Sequence, residues 1–329
     1  MADLYNKKIV EDENLLGVER QLFKSPLIDR TKTINQNLKI ISAIPTQTTS
    51  MAFSDLMDER ALSLLKKADA EQRDLRVSYS GGIDSTSVLC ALLKHKEEYP
   101  EVKITVVMSD ESYYEYPEFY ENHLKNKVDV QWVNSLEVLQ ALTKESEKPY
   151  YIVTGEIGDQ LFGSALMFKS TPDLLQDKWA TNLKMISYVK LLDIAKKNPF
   201  FEQDRSLASF LWWMNFTLKY QWVQLRMCVS FGPSQFKNII HFFDSNKFQK
   251  WAITHPMEEK FNDFTKPQTY KMPAKQYIFD FAGDLWYLKS KVKVPSLCNT
   301  VEDSFATDLS RITEDLKVYK LRLEEYETF

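Results

Sequence analysis

The residues best suited to do chemistry lie in the stretch VSYSGGIDSTSV, residues 77–88, where a strand pattern turns into a helix pattern. Gly81 and Gly82 stand at the turn, and they are two of only eight glycines in 329 residues. Because glycine has no Cβ, the backbone there can bend sharply and come close to an anion. The N-terminus of the following helix adds free N–H groups and a partial positive charge, and Ser80 and Ser85 add hydroxyl donors. The stretch therefore predicts a cradle for phosphate groups.

An acidic residue in the same loop calls for a counter-charge. Asp84 follows the two glycines, and its carboxylate would repel phosphate oxygens at short range. Mg²⁺ removes that repulsion, since it binds carboxylate and phosphate oxygens together and keeps several waters. Asp84 is therefore predicted to be the first ligand of a magnesium ion.

A second cluster of glycines lies in TGEIGDQLFGS, residues 154–164, at the end of another predicted strand. Together the two clusters hold five of the eight glycines. The carboxyl ends of parallel strands share one edge of a sheet, and open α/β sheets bind ligands beyond that edge. The two carboxylates of this stretch, Glu156 and Asp159, are thus expected on the same rim as Ser80.

The elements that must position these loops alternate along the chain between residues 70 and 165. Strands are predicted at 75–80, 102–108, 128–133 and 149–155, and helices at 53–68, 84–99, 116–126 and 135–145, the last capped by Ser135. Such alternation indicates an α/β domain with an open, mostly parallel sheet, flanking helices and right-handed crossovers.

The rest of the chain divides into two parts. Residues 1–50 are interpreted as an N-terminal extension, 51–165 as the α/β core that carries the two glycine loops and 166–329 as a mainly helical part. Strand signals stop after Leu161, and helices are predicted at 174–197, at 206–228 and around 236–252. The dense aromatic residues there favour packing in a helical core over a ligand box.

Composition excludes several classes of protein. A net charge of −4 gives no electrostatic reason to expect nucleic acid as the main partner. Three isolated cysteines suggest a reducing compartment and no zinc or iron–sulfur centre. No signal peptide or apolar run of 18 residues is present, so a cytoplasmic protein without membrane contact is expected.

The first loop resembles a known motif. Residues 80–85, SGGIDS, match the S-G-G-x-D-S motif of the ATP pyrophosphatases, the PP-loop superfamily, and match neither the Walker A loop nor the G-x-G-x-x-G fingerprint. The resemblance implies an adenine nucleotide alpha hydrolase-like fold and an enzyme that adenylates a substrate oxygen and releases pyrophosphate. It assigns ATP binding to Ser80, Gly81, Gly82, Asp84 and Ser85.

The second loop resembles the S-G-E-G-S-D-E-L-F-G-G motif of the synthetase domain of asparagine synthetases, a branch of the same superfamily. By position, the resemblance implies that Glu156 lies near the amine and the acyl-adenylate as a catalytic residue. Asp159 would be the second magnesium ligand, and Gly155 would belong to the ATP-binding framework. Departures from the motif include Thr154, Gln160 and Ser164.

Downstream the resemblance is weaker, but it still indicates a lysine that would bind pyrophosphate. In YKMPAKQYIFDF, Lys275 is the better match to the family's pyrophosphate-binding lysine and Lys271 the second. Main-chain atoms near Met108 would read the adenine edge, and the acidic stretch 110–118 is interpreted as a solvated loop. The helix region of the family aligns with Arg226, Met227, Phe243 and Asp244, although its E-A-R-V segment is missing.

The resemblance implies an amide ligase that uses ATP and Mg²⁺ to couple a small carboxylate to ammonia or an amine. The leader of roughly 70 residues before the first strand is too short for the glutaminase domain of asparagine synthetases. Ammonia, an amine-bearing substrate or a separate nitrogen-donor subunit is therefore expected to supply the nitrogen. A homo-oligomer is compatible with the sequence. The alternatives are a PP-loop enzyme that modifies a nucleobase, tRNA or peptide, and a nucleotide sensor or scaffold without activity.

Overall fold

The computed structural model describes residues 28–33, 40–163, 196–197, 206–231, 233–255, 257–263 and 266–292. Apart from residues 196–197, the helix predicted at 174–197 lies outside these ranges, and so does most of the predicted N-terminal extension. In the part of the chain that is described, no helix has the length and apolar character needed to cross a membrane.

The core of the fold is a five-stranded parallel sheet. Its strands are β1 (Asp74–Ser78), β2 (Ile104–Met108), β3 (Asp129–Trp132), β4 (Tyr150–Thr154) and β5 (Ile239–His241). They lie in the order β3-β2-β1-β4-β5, and all neighbours are parallel. The parallel α/β sheet predicted from the alternation of strands and helices is therefore confirmed.

Helices connect the strands in the first half of the chain. They are α1 (Phe53–Ala70), α2 (Ile83–Lys94), α3 (Asp110–Glu115), α4 (Pro117–Phe119, continued by a π-helical turn at Tyr120–Leu124), α5 (Val138–Thr143) and α6 (Gly158–Phe162). Short 3₁₀ turns at Lys96–Glu98 and Ser135–Glu137 complete these connections.

The described residues after the first four strands are mainly helical. They form α7 (Leu207–Met214), a π-helical turn (Asn215–Lys219), α8 (Tyr220–Phe231), α9 (Asn246–Thr254), α10 (Met257–Lys260), α11 (Met272–Ala282) and α12 (Leu285–Ser290), with 3₁₀ turns at Pro233–Asn238 and Pro267–Thr269. The helix predicted at 206–228 is confirmed by α7, the π-helical turn and α8.

The core lies on both faces of the sheet. All five residues of β4 are buried, as expected of a central strand in a parallel sheet that is covered on both sides. Nine of the twelve residues of α2 are also buried, and this helix packs against α1 and α11. The glycine loop before α2 is therefore fixed on a rigid base.

Three local predictions are corrected by the structure. Residues 110–115 form α3 rather than a solvated loop, since Ser109 and Ser112 make a capping box at its start. The cap of the turn before α5 is Asn134, whose side chain accepts from the Leu136 N–H, rather than Ser135. Finally, Ile239–His241 is a strand inside a stretch predicted as helical, because a short buried apolar run has no period that separates the two.

The described part of residues 1–50 packs on the helical part of the chain. Arg30 is buried, and its guanidinium donates to the carbonyls of Ser42 (2.9 Å) and Phe216 (3.0 Å). It also lies 4.1 Å from the ring centroid of Tyr220, and burial lowers its pKa to about 10. This buried cation links the first described segments to the π-helical turn at Asn215–Lys219 and to α8.

Candidate functional site

The strand order places the two glycine loops side by side. β1 pairs with both β2 and β4, so the direction in which the sheet grows reverses between β1 and β4. At such a switch point the loops after the two strands diverge and leave a crevice, which is where open α/β sheets bind ligands. The loops after β1 and β4 are the two that the sequence singled out.

The loop after β1 is a tight turn held by serine hydroxyls. Gly81 has φ +73°, a conformation that side chains other than glycine rarely adopt. The Ser80 N–H donates to Ser85 Oγ at 3.1 Å, and the Ser85 hydroxyl lies 3.2 Å from the Gly82 carbonyl oxygen as a donor. These bonds close the turn directly before α2.

We expect the two glycines of this loop to differ sharply in tolerance. A Cβ on Gly81 would lie 2.4 Å from the carbonyl oxygen of Ser112, whereas a Cβ on Gly82 meets only Ser80 Oγ at 3.3 Å. Positive φ costs an alanine about 1–2 kcal/mol, and overpacking adds about 1–3 kcal/mol. Gly81→Ala should therefore lower the free energy of unfolding by about 3 kcal/mol in urea titrations, and Gly82→Ala by less than about 1 kcal/mol. Equal losses in the two variants would contradict the described turn.

The loop after β4 presses against the first loop. A Cβ on Gly155 would come within 2.9 Å of Ser85 N, and one on Gly158 within 2.4 Å of Asp84 Oδ1. Between them Ile157 has φ +79°, a strained conformation for a β-branched residue that costs about 1–3 kcal/mol. Its side chain is 1% exposed, and burial of about 1.5–3 kcal/mol offsets the strain. The turn thus holds Glu156 and Asp159 beside Asp84.

Two carboxylates from the two loops meet on one ammonium group. Lys271 Nζ donates to Asp84 Oδ2 and, at 2.7 Å, to Asp159 Oδ1, and its side chain is 1% exposed. Tyr270 adds a hydroxyl donor to Asp159 Oδ1 at 2.8 Å and to the Gly163 carbonyl at 2.5 Å. The structure therefore gathers the two predicted metal ligands, and it adds Tyr270, for which the sequence carries no signal.

Of the two candidate lysines, the structure places Lys271 at these carboxylates and Lys275 elsewhere. Lys275 is fully buried, and its Nζ donates to the carbonyls of Gln268 (2.5 Å) and Lys291 (3.1 Å). Burial, helped by the neighbouring Lys291 ammonium, lowers the pKa of Lys275 to about 8. Its contacts tie the start of α11 to the end of α12, away from the two carboxylates that Lys271 contacts. The role of Lys275 in binding pyrophosphate stays a prediction.

Glu156 faces a guanidinium. Arg226 Nη2 on α8 donates to Glu156 Oε2 at 2.7 Å, and both side chains are partly exposed, by 29% and 26%. Arg226 lies in the region where the sequence resembles the family only weakly, and the sequence did not predict its contact with Glu156. The pair fixes the Glu156 carboxylate at the rim while leaving part of it open to solvent.

Other predicted residues lie at the same edge of the sheet or in its support. Met108 is buried at the end of β2, and its carbonyl accepts from the Val133 N–H at 3.0 Å. Asp244 accepts from Gln224 at 2.9 Å and from the Tyr220 hydroxyl at 3.1 Å. These contacts place Asp244 in a buried polar network behind the site. The side chain of Met227 lies outside the described residues.

The donor set fits a magnesium ion that arrives with phosphate. Among the described residues no group of three or more His, Cys, Asp and Glu could hold a metal ion by itself. Mg²⁺ needs only one or two carboxylates when phosphate oxygens and waters complete its shell. Asp84 and Asp159 already converge on a cation, the Lys271 ammonium, so the position is suited to positive charge.

Comparison of the chain with protein-family models and with curated proteins finds no match.

Proposed function

We propose that the chain is an ATP-dependent, AMP- and pyrophosphate-forming amide ligase with an adenine nucleotide alpha hydrolase-like fold. The observation that carries the proposal is the convergence of Asp84 and Asp159, from the loops after β1 and β4, on one cation at the switch point of the sheet. A glycine loop opening a twelve-residue helix at the same place supports a triphosphate as the ligand.

In this proposal the triphosphate lies on the loop of Ser80, Gly81 and Gly82 and on the N-terminus of α2. Asp84 and Asp159 would hold the Mg²⁺, which supplies positive charge against the charge that develops on the leaving pyrophosphate. Lys271, whose ammonium contacts the same two carboxylates, would donate to phosphate oxygens. Main-chain atoms after β2, near Met108, would contact the adenine.

The acyl substrate belongs beside Glu156. A substrate carboxylate attacks the α-phosphorus and displaces pyrophosphate, and an amine or ammonia then attacks the acyl carbon of the acyl-adenylate and displaces AMP. Glu156 takes the proton of the attacking amine as general base, and Arg226 keeps its carboxylate aimed at the rim. Aspartate with ammonia is the default pair of substrates. A separate subunit that delivers ammonia is an equivalent source of nitrogen.

Phosphorus NMR of the purified chain with Mg-ATP, ammonium and a panel of carboxylates, aspartate among them, tests the proposal. AMP and pyrophosphate formed only in the presence of one acid would support adenylation and identify the substrate. ADP and phosphate as products would rule the proposal out. A reaction without any acid would be unproductive hydrolysis and would rule out the ligase assignment.

We expect Glu156→Gln to lower the rate of product formation by about 100-fold or more, because general-base catalysis contributes about that factor. The dissociation constant for ATP should stay within about threefold, since the side-chain contact that the structure describes for Glu156 is with Arg226 on α8. Single-turnover assays and nucleotide titrations separate the two quantities. Glu137→Gln, in the 3₁₀ turn before α5, is the control for the same chemical change. Unchanged turnover in Glu156→Gln would leave Glu156 with a structural role alone.

A further inference from the structure

Two buried polar side chains lie near the proposed site but outside the cluster of Asp84, Asp159 and Lys271. Thr154 ends β4 and His241 ends β5, and the two are paired across the sheet. Each is 2% exposed, and Thr154 Oγ1 lies 2.7 Å from His241 Nδ1. Threonine has a hydroxyl where serine stands in the resembled motif, and this hydrogen bond gives that hydroxyl a definite partner.

The hydrogen-bond partners fix the tautomer of the imidazole ring. His241 Nε2 lies 2.9 Å from the carbonyl oxygen of Gln224, which can only accept, so Nε2 carries the proton. In the neutral ring Nδ1 is then an acceptor, and the Thr154 hydroxyl donates a hydrogen bond to it. The Thr154 oxygen in turn accepts from the Glu156 N–H at 3.3 Å. All three bonds therefore run one way, from Glu156 through Thr154 and His241 to Gln224.

The surroundings hold the ring in this place. Arg60 on α1 donates to the carbonyls of His241 (3.4 Å) and Phe242 (3.0 Å). On the other side, Asp244 accepts from the Gln224 side chain at 2.9 Å. The position of the ring is therefore fixed through the backbone of His241 and through Gln224, which accepts the hydrogen bond from its Nε2–H.

One helix supports both ends of this chain of bonds. Gln224 and Arg226 belong to α8; Gln224 accepts from the histidine, and Arg226 donates to the Glu156 carboxylate. Glu156 is thus fixed at two points, its amide through Thr154 and His241 and its carboxylate through Arg226. A shift of either point would move the carboxylate relative to the loop after β1.

We propose that His241 is a positioning residue, which acts through the Thr154 hydroxyl to fix the turn that carries Glu156. The effect on catalysis rests on the proposed function, in which Glu156 is the general base. The effect on the backbone of Glu156 does not, and it can be measured without any substrate.

The matched pair Thr154→Val and Thr154→Ser tests the catalytic part. Valine keeps the shape of threonine and removes the hydroxyl, whereas serine keeps the hydroxyl. Thr154→Val should lower kcat for AMP formation by about tenfold or more, because a small displacement of a catalytic group slows the chemical step. The dissociation constant for ATP should change by less than about threefold. Thr154→Ser should restore turnover to within about threefold of the original chain. Equal turnover in folded valine and serine variants would overturn the catalytic part.

Two measurements on the protein test the positioning itself. Long-range ¹⁵N–¹H correlation spectra of the four histidines should show His241 as the neutral Nε2–H tautomer, and this needs no variant. Exchange of the Glu156 amide hydrogen should be at least about tenfold faster in Thr154→Val than in Thr154→Ser. A proton on Nδ1 of His241, or equal amide exchange in the two variants, would overturn the proposal. Both readouts test the positioning role of His241 even if the chain cleaves no ATP. A failure to cleave ATP would count against the proposed function alone.

Discussion

Asp84→Asn should lower Mg²⁺-dependent ATP cleavage by about 1,000-fold or more. Asparagine keeps the shape of aspartate but removes one of the two carboxylates that would hold the metal, and metal stabilisation of developing charge is worth several kcal/mol, with each 1.36 kcal/mol equal to tenfold in rate. The fold should survive, because Lys271 keeps its bond to Asp159. We expect the free energy of unfolding to fall by about 1.5–3 kcal/mol, the value of one hydrogen bond to a charged group.

The measurement is the rate of AMP formation followed by phosphorus NMR, with binding of Mn²⁺ in the presence of a non-hydrolysable ATP analogue as a second readout. Asp69→Asn provides the control, since Asp69 is exposed near the end of α1. Cleavage by Asp84→Asn at the original rate would remove Asp84 from the metal site and with it the main support for the proposed function.

Lys271→Met and Lys275→Met should have opposite consequences. Lys271 touches both carboxylates of the site, so its loss should lower ATP cleavage by about 100- to 1,000-fold, the usual effect of removing one donor to a developing anion. Lys275 bonds only to the carbonyls of Gln268 and Lys291 among its described contacts, so its loss should leave cleavage within about fivefold. Lys275→Met should instead lower the free energy of unfolding, because two buried carbonyls lose their hydrogen-bond donor.

The two variants are each other's control, since the same change is made at two lysines only four positions apart. Turnover is measured below the melting temperature of both, with circular dichroism to verify folding. If folded Lys275→Met lost its turnover while Lys271→Met kept it, Lys275 would be the lysine of the site, as the resemblance of the motif favoured. Lys271 would then have no part in binding phosphate.

The fold and the first half of the site could be predicted from local signals. Strand and helix periods are short-range properties, and strands β1 to β4 lie within two residues of their predicted bounds at each end. Glycine is so scarce in this chain that the two clusters marked the loops where the backbone turns and packs closely. Gly81 adopts a positive φ at its turn, and Gly158 lets the backbone pack closely against Asp84.

The partners of those loops were decided by the tertiary structure. Spacing of four residues puts Lys271 and Lys275 on one helix face only if both lie in the helix. Helix α11 begins at Met272, and Lys271 precedes it with φ +56°, so the two side chains leave the chain in different directions. A left-handed backbone at a lysine has no sequence signal, and the choice of lysine could not be read from the motif.

The sequence by itself thus determined the α/β sheet, the two loops and the carboxylates on them, because each depends on residues close together in the chain. Only the tertiary structure decided that Arg226 meets Glu156 and that His241 meets Thr154, 70 and 87 residues apart. The latter contact depends on β5, a three-residue strand that joins the sheet through its pairing with β4. Such contacts are set by strand order and helix packing, which no local pattern encodes.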